Sequence, residues 1–196
     1  MILIRNVLKF ESHEFIKTNV EIDSTSQEEI EGEGMYWLPP LVELFADFKE
    51  PGLEHVYSIK EGSEAMLKGG FGMVMLDPNS HPVVDQEEVV EWVLSRVEHL
   101  SLDVRACGAI TKGQNRKELS EMSSMLKSGA QTFSNGVRPL PPTAILKSVL
   151  EYSARFDVRI FILPWETDLC GPGLVHEDEK SSILGLQGWP ASAERL

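Results

Sequence analysis

From Leu41 onward, short apolar runs alternate with amphipathic segments at a steady spacing, the pattern of repeated βα units whose crossover helices cover a parallel sheet. Leu41 to Ala46 predicts a first strand. Ser58 to Lys68 predicts a helix stopped by Gly69-Gly70, and Phe71 to Leu76 a second strand. Asp85 and Glu88 have capping-box spacing, and Val89, Val93, Val97 and Leu100 recur every three or four residues, which predicts a helix with one buried stripe. Val104 to Ile110 reads as a third strand, and Leu119, Met122 and Leu126 mark a helix face ending at Gly129. A short strand over Ala130 to Phe133, a helix carrying Ile145, Val149, Tyr152 and Phe156, and a strand within Val158 to Leu163 complete five strands and four helices.

The first forty residues have a different texture. Ile2 to Phe10 and Phe15 to Ile22 predict short strands, and a polar stretch runs from Asp23 to Gly34. Pro39-Pro40 suits neither a ladder nor a helix interior, so it divides a β-rich appendage over 1–40 from an α/β domain over 41–196.

Composition narrows the function classes. The 196 residues carry 18 Lys+Arg against 31 Asp+Glu, a formal net charge of −13, which disfavours binding to a phosphate backbone. No apolar run approaches the ~20 residues that cross a bilayer, so no membrane partner, signal or anchor is expected, and the expected compartment is the cytoplasm. Cys107 and Cys170 lie far apart outside any CxxC, which leaves no disulfide framework and no thiolate zinc site to read. Lys68-Gly69-Gly70-Phe71-Gly72 stands between a helix and a strand, the wrong order for a phosphate-cradling loop, and reads as a helix stop. Five strands suffice for a doubly wound open sheet, whereas a closed barrel needs eight and roughly 250 residues; local patterning admits either an open sheet or part of a barrel.

Particular residues decide between them. Leu44 to His55 (LFADFKEPGLEH) resembles the first strand and loop of dihydroorotases in the amidohydrolase superfamily. Gly69-Gly70-Phe71, Asp77-Pro78-Asn79-Ser80, Gly108 to Gly113 (GAITKG), Phe133-Ser134-Asn135-Gly136 with Arg138-Pro139, and Gly185 to Glu194 (GLQGWPASAE) follow in dihydroorotase order and spacing. The resemblance covers residues 38 to 196. It implies a partial TIM-like (β/α) barrel of the amidohydrolase type, with about five parallel strands and a small N-terminal β segment. It also implies descent from enzymes of reversible amide-ring closure in pyrimidine synthesis, where a zinc-bound hydroxide attacks a polarised carbonyl.

Against that family the metal positions are altered. The strand-one HxH pair, two imidazoles on one side of a strand, falls here on Phe45 and Asp47. The family's substrate-binding arginine becomes Lys49, which keeps charge but loses the bidentate fork suited to a carboxylate. The ligand aspartate of the family's SDDG motif is Asn135, and the strand-five histidine is Pro164 when Glu166 is matched to that motif's acid. Asn79, matching a substrate-contacting asparagine, is the one retained residue of functional type, and turn formation by Pro78-Asn79-Ser80 accounts for it equally well.

No substitute constellation stands out. His13, His55, His81, His99 and His176 form no HxH or HxxxH pair, His176-Glu177-Asp178-Glu179 reads as a solvated acidic loop, Lys112 matches a family lysine that is not a metal ligand, and Ser134 and Ser192 lack triad logic. The expectation is therefore a catalytically inactive dihydroorotase-like chain without zinc, in which Lys49 and Asn79 are vestigial substrate contacts. The aligned region stops inside the helix after strand five, at Ala191 to Leu196, so strands six to eight, a further histidine and the catalytic aspartate have no counterpart. An open five-stranded sheet leaves two edges and an apolar inner face in need of a partner. Family analogy points to aspartate carbamoyltransferase, with self-association the other route. A divergent or split cyclic amidohydrolase completed by a second chain, or a truncated gene product, is the competing reading.

Overall fold

In the computed structural model, which describes residues 1–139 and 141–195, the chain divides into two units, Met1–Leu41 and Val42–Leu196. The first unit is a small sheet built around β1 (Ile2–Glu11), which pairs antiparallel with β2 (Glu14–Ile22). Ser12 and His13 join them with φ of 52° and 72°, the doubly left-handed two-residue turn whose twist suits a hairpin. On the other edge of β1 lie β3 (Glu28–Glu31) and then β4 (Tyr36–Trp37), both parallel to it. The stretch read as merely polar thus contains a strand, because β1 supplies a ladder that no local signal in Glu28–Glu31 announces. Phe15 packs against Phe10 and Tyr36 at ring-centroid distances of 5.2 and 5.0 Å.

β5 (Leu41–Ala46) runs into the second unit from its boundary at Leu41, followed by α1 (Ile59–Lys68), β6 (Phe71–Leu76), α2 (Glu87–Val97) and β7 (Asp103–Ala109). It continues through α3 (Met122–Lys127), β8 (Thr132–Ser134), α4 (Thr143–Ser153) and β9 (Arg159–Phe161). The five strands lie in sequence order in one curled parallel sheet, the half-barrel that the resemblance implies and one of the two forms the spacing admits. Strand alternation sends Val74, Leu76, Val104, Ala106 and Phe133 to the convex face, where they form one core with Val90 and Val93 of α2, Met122 and Met125 of α3, and Val149 of α4. Gly108 admits the Phe133 ring there: a Cβ on it would stand 2.5 Å from Phe133 Cε1. The concave face carries Met73, Met75, Arg105, Thr132, Arg159 and Phe161 around a cavity of about 380 Å³.

Some local expectations are corrected. Ser58 and Glu61 form a reciprocal capping box on α1, but none forms at α2, whose N-cap is Gln86. Asp85 is drawn away because its Oδ2 accepts the Gly113 N–H at 2.6 Å, tying the loop after β7 to the start of α2. Leu119 belongs not to α3 but to a bridge with Thr111, and Phe156 lies past the end of α4. After β9 come α5 (Thr167–Cys170), β10 (Val175–His176), α6 (Glu179–Ile183) and β11 (Gly188–Trp189). Asp178 caps α6 through a bond from the Ser181 N–H at 2.7 Å, so the acidic run is partly a helix start. The helix expected over Ala191 to Leu196 is a 3-10 turn over Ala191–Glu194, and Leu196 lies outside the described residues. Among the described residues no helix is long and apolar enough to cross a membrane.

Candidate functional site

Parallel βα units leave the C-terminal ends of their strands as one rim from which loops present polar groups. Here the rim is formed by residues 45–49, 77–80, 110–116, 134–138 and 161–165. Asp77 lies on it, just after β6. It follows the apolar strand β6, donates its N–H to Ala46 O at 2.8 Å, and is 5% exposed. Its Oδ1 accepts the Asn79 N–H at 3.2 Å, while its Oδ2 is buried without a hydrogen-bond partner. Burial pushes the carboxyl up to about 6; the Asn79 N–H opposes that rise, the Asp47 carboxylate adds to it, and Lys49 and Arg138 oppose it.

The residues singled out by sequence occupy this rim in different ways. Asp47 and Lys49 form an ion pair with each other, and both act on Asp77 electrostatically. Asn79 joins the group through its backbone N–H, as a turn residue does. Phe45 is half-buried and lines a cavity of about 290 Å³ with Ser134, Gly136, Val137, Phe161 and Leu163. Asn135 is buried and already engaged: its Oδ1 accepts the Thr111 N–H at 3.0 Å and its Nδ2 lies 2.9 Å from Thr111 Oγ1, so it pins the loop after β7 to the end of β8. Pro164 is exposed, beside Trp165 and Trp189 at a separate cavity. Among the described residues no three His, Cys, Asp or Glu side chains are grouped as a metal would need. Burial pushes the Cys107 thiol up to about 12, which keeps it protonated and unreactive.

Three residues beside Asp77 had no functional reading in the sequence. Gln114 is 6% exposed, and its Nε2 is buried with no hydrogen-bond partner. Gly136 holds φ of 66°, and a Cβ on it would stand 2.8 Å from Asp77 Oδ1, 3.3 Å from Asp77 Oδ2 and 3.1 Å from Gln114 Nε2. Arg138 adds a charge that acts on Asp77. The sequence signal for Asp77 was available, an acid closing an otherwise apolar strand, but nothing local places Gln114 opposite it.

Comparisons with known proteins agree with this architecture. A sequence model of the family described as Dihydro-orotase-like matches residues 34–196. The dihydroorotase of Ruminiclostridium cellulolyticum is 36% identical over 177 residues, covering 90% of this chain and 41% of its own. The dihydroorotase-like protein of Pseudomonas aeruginosa is 33% identical over 173 residues, covering 88% of this chain and 41% of its own. Among solved structures, the L-hydantoinase (dihydropyrimidinase) from Arthrobacter aurescens superposes with a TM-score of 0.71 at 13% identity, over 86% of this chain and 42% of that one. The chain therefore spans about two fifths of the length of these relatives.

Proposed function

Given that the chain belongs to the dihydroorotase-like family, we propose that it is a catalytically inactive member that serves as a structural partner in pyrimidine biosynthesis, in the cytoplasm. The observation that carries this reading is how the ligand positions are used. Asp47 is neutralised by the Lys49 ammonium, Asn135 spends its amide on Thr111, and Phe45 and Pro164 offer no lone pair to a metal. That donor set does not fit a tetrahedral zinc. Lys49 instead supplies a fixed positive charge beside the two carboxylates, and no hydroxide-generating step is derived for this chain.

On this reading purified protein holds no stoichiometric zinc and does not open the dihydroorotate ring. Metal analysis with a ring-opening assay tests both, and about one zinc per chain with turnover above background would sink it. The double substitution Phe45→His and Asp47→His is expected to restore no turnover, because residues that act as one unit do not contribute additively. The partner we favour, by family analogy, is aspartate carbamoyltransferase. Mixing the two is expected to give a larger defined particle and to raise the transferase's melting temperature. An unchanged transferase beside a monomeric chain would remove the scaffold role.

The share of the relatives' length that is matched, with exposed Leu41, Val42 and Leu44 on one edge strand and Ile162 and Leu163 beyond the other, supports a second reading. There the chain is part of a hydrolase completed by further strands on a second chain. Hydrolase activity gained only on adding such a chain would favour it.

A further inference from the structure

After β9 the chain leaves the five-stranded sheet and folds back on itself, and that excursion brings three side chains together. Trp165 follows β9, Trp189 lies on β11 and Glu194 ends the 3-10 turn. Backbone bonds fix them in place: Glu166 donates its N–H to Ala193 O at 3.0 Å, and Glu177 donates its N–H to Trp189 O at 2.9 Å. With Leu163 and Pro164, the three line a cavity of about 320 Å³. The two indole centroids are 6.1 Å apart with their planes at 36°, and both Nε1 atoms are buried without a hydrogen-bond partner. The cavity therefore meets ring carbon rather than N–H groups. His176 connects the wall to the acid, with its ring 5.4 Å from that of Trp189 and its Nε2 3.4 Å from Glu194 Oε1.

We propose that this cavity binds a small free organic cation with a trimethylammonium head, seated against Trp165 and Trp189 with the Glu194 carboxylate beside it. Aromatic faces are negative and attract cations, those of tryptophan most strongly. Glu194 supplies the opposite charge, and it is the one side-chain acceptor among the described residues that line the cavity. That shortage of acceptors selects the kind of cation. A primary ammonium carries three N–H donors and a guanidinium five, which a wall of indole carbon, leucine and proline cannot satisfy. A quaternary ammonium has none to lose. An anion meets a like charge at Glu194, and a neutral ligand forgoes both attractions. Binding here requires neither zinc nor a transferase, so the site goes beyond the assembly role and does not depend on it.

The test uses the full chain, labelled with ¹⁵N, titrated separately with choline chloride, ethanolamine hydrochloride and 3,3-dimethylbutanol at matched ionic strength while the indole N–H signals of Trp165 and Trp189 are followed. 3,3-Dimethylbutanol has the shape of choline without its charge, and ethanolamine has the charge without the methyl groups. Choline is expected to give saturable shifts at both indoles, and none at Trp37 or Trp92. It is expected to bind at least about fivefold more tightly than either analogue, the scale of a cation held against an aromatic face. Trp189→Leu, which keeps an apolar wall but removes the π face, is expected to weaken choline by a similar factor and to leave 3,3-dimethylbutanol unchanged. Should that variant fail to fold, Glu194→Gln at an exposed position tests the charge and is also expected to weaken choline. Either analogue binding as tightly as choline, no saturable shift at the two indoles, or a folded variant that binds choline unchanged would each overturn the proposal. So would sedimentation with phosphatidylcholine vesicles by a chain that free choline does not shift, because the head group would then belong to a lipid surface.

Discussion

The two faces of the five-stranded sheet are built from alternate residues of the same strands, yet they differ in kind. On the convex face Val74, Val90, Val93, Ala106, Met122, Met125, Phe133 and Val149 are at most 2% exposed, closed in by four helices. On the concave face Arg105 reaches Asp103 at 2.7 Å and Gln131 at 2.8 Å, Thr132 Oγ1 is buried without a partner, and Arg159 is exposed. In a closed barrel this inner face is filled by layered side chains from opposite strands. Here the helices close over most of the core, while the unpaired Thr132 Oγ1 lies inside the curl and the unpaired Asp77 Oδ2 and Gln114 Nε2 lie along its rim. The difference teaches that the outer layer of this sheet is packed by the chain's own helices, whereas its inner layer is not.

The largest expected effect attacks the convex face. Phe133→Ala removes a fully buried ring from the cluster it shares with Met122 and Met125 of α3, and is expected to cost about 3–5 kcal/mol in urea denaturation. A loss below about 1 kcal/mol would mean that the core is not where we place it.

Asp77 sharpens the comparison at the rim. Its ordinary carboxyl value of 3.8 rises to about 6 on folding, so below 3.8 both states are protonated and the group contributes nothing. As pH climbs from 3.8 to about 6 the unfolded chain loses this proton first, and stability falls, with the full cost present above that window. Asp77→Asn is therefore expected to stabilise the protein by roughly 2–3 kcal/mol at pH 7.5, a gain that shrinks towards zero below pH 4. Denaturation curves at the two pH values check this, and an equal offset at both would show that desolvation of the carboxylate is not the cause.

Smaller effects follow from helix ends and from the concave face itself. Ser58→Ala, which removes the hydroxyl that accepts the Glu61 N–H at 3.2 Å, is expected to cost about 1 kcal/mol by thermal denaturation. The matching change Asp85→Ala tests the loop tether to Gly113 rather than a cap, and its mark is faster hydrogen exchange at Gly113. Arg159→Ala on the concave face is expected to change stability by no more than about 0.5 kcal/mol. A larger loss there would erase the distinction between the two faces.

Period and punctuation along the chain were enough for the five strands, four of the helices and their order, because each βα unit buries its own apolar stripe and the stop at Gly69-Gly70 is a local backbone matter. The stretches that resemble dihydroorotases were legible for the same reason: they are contiguous and keep their spacing. What remained hidden depends on partners distant in sequence. Glu28–Glu31 is a strand only because β1 lies beside it, and Asp85 leaves its capping role only because Gly113 arrives with a free N–H. Asn135 could be read as a lost ligand, but its use as a brace on Thr111 belongs to the pairing of β7 with β8. Likewise Asp77, Gln114 and Gly136 are separated by 37 and 22 residues of chain, and only the curl of the sheet brings an unpaired acceptor and an unpaired donor to one point. Local free energies write the elements into the sequence, whereas the convergence of polar groups at a rim is a property of closure, which no single segment contains.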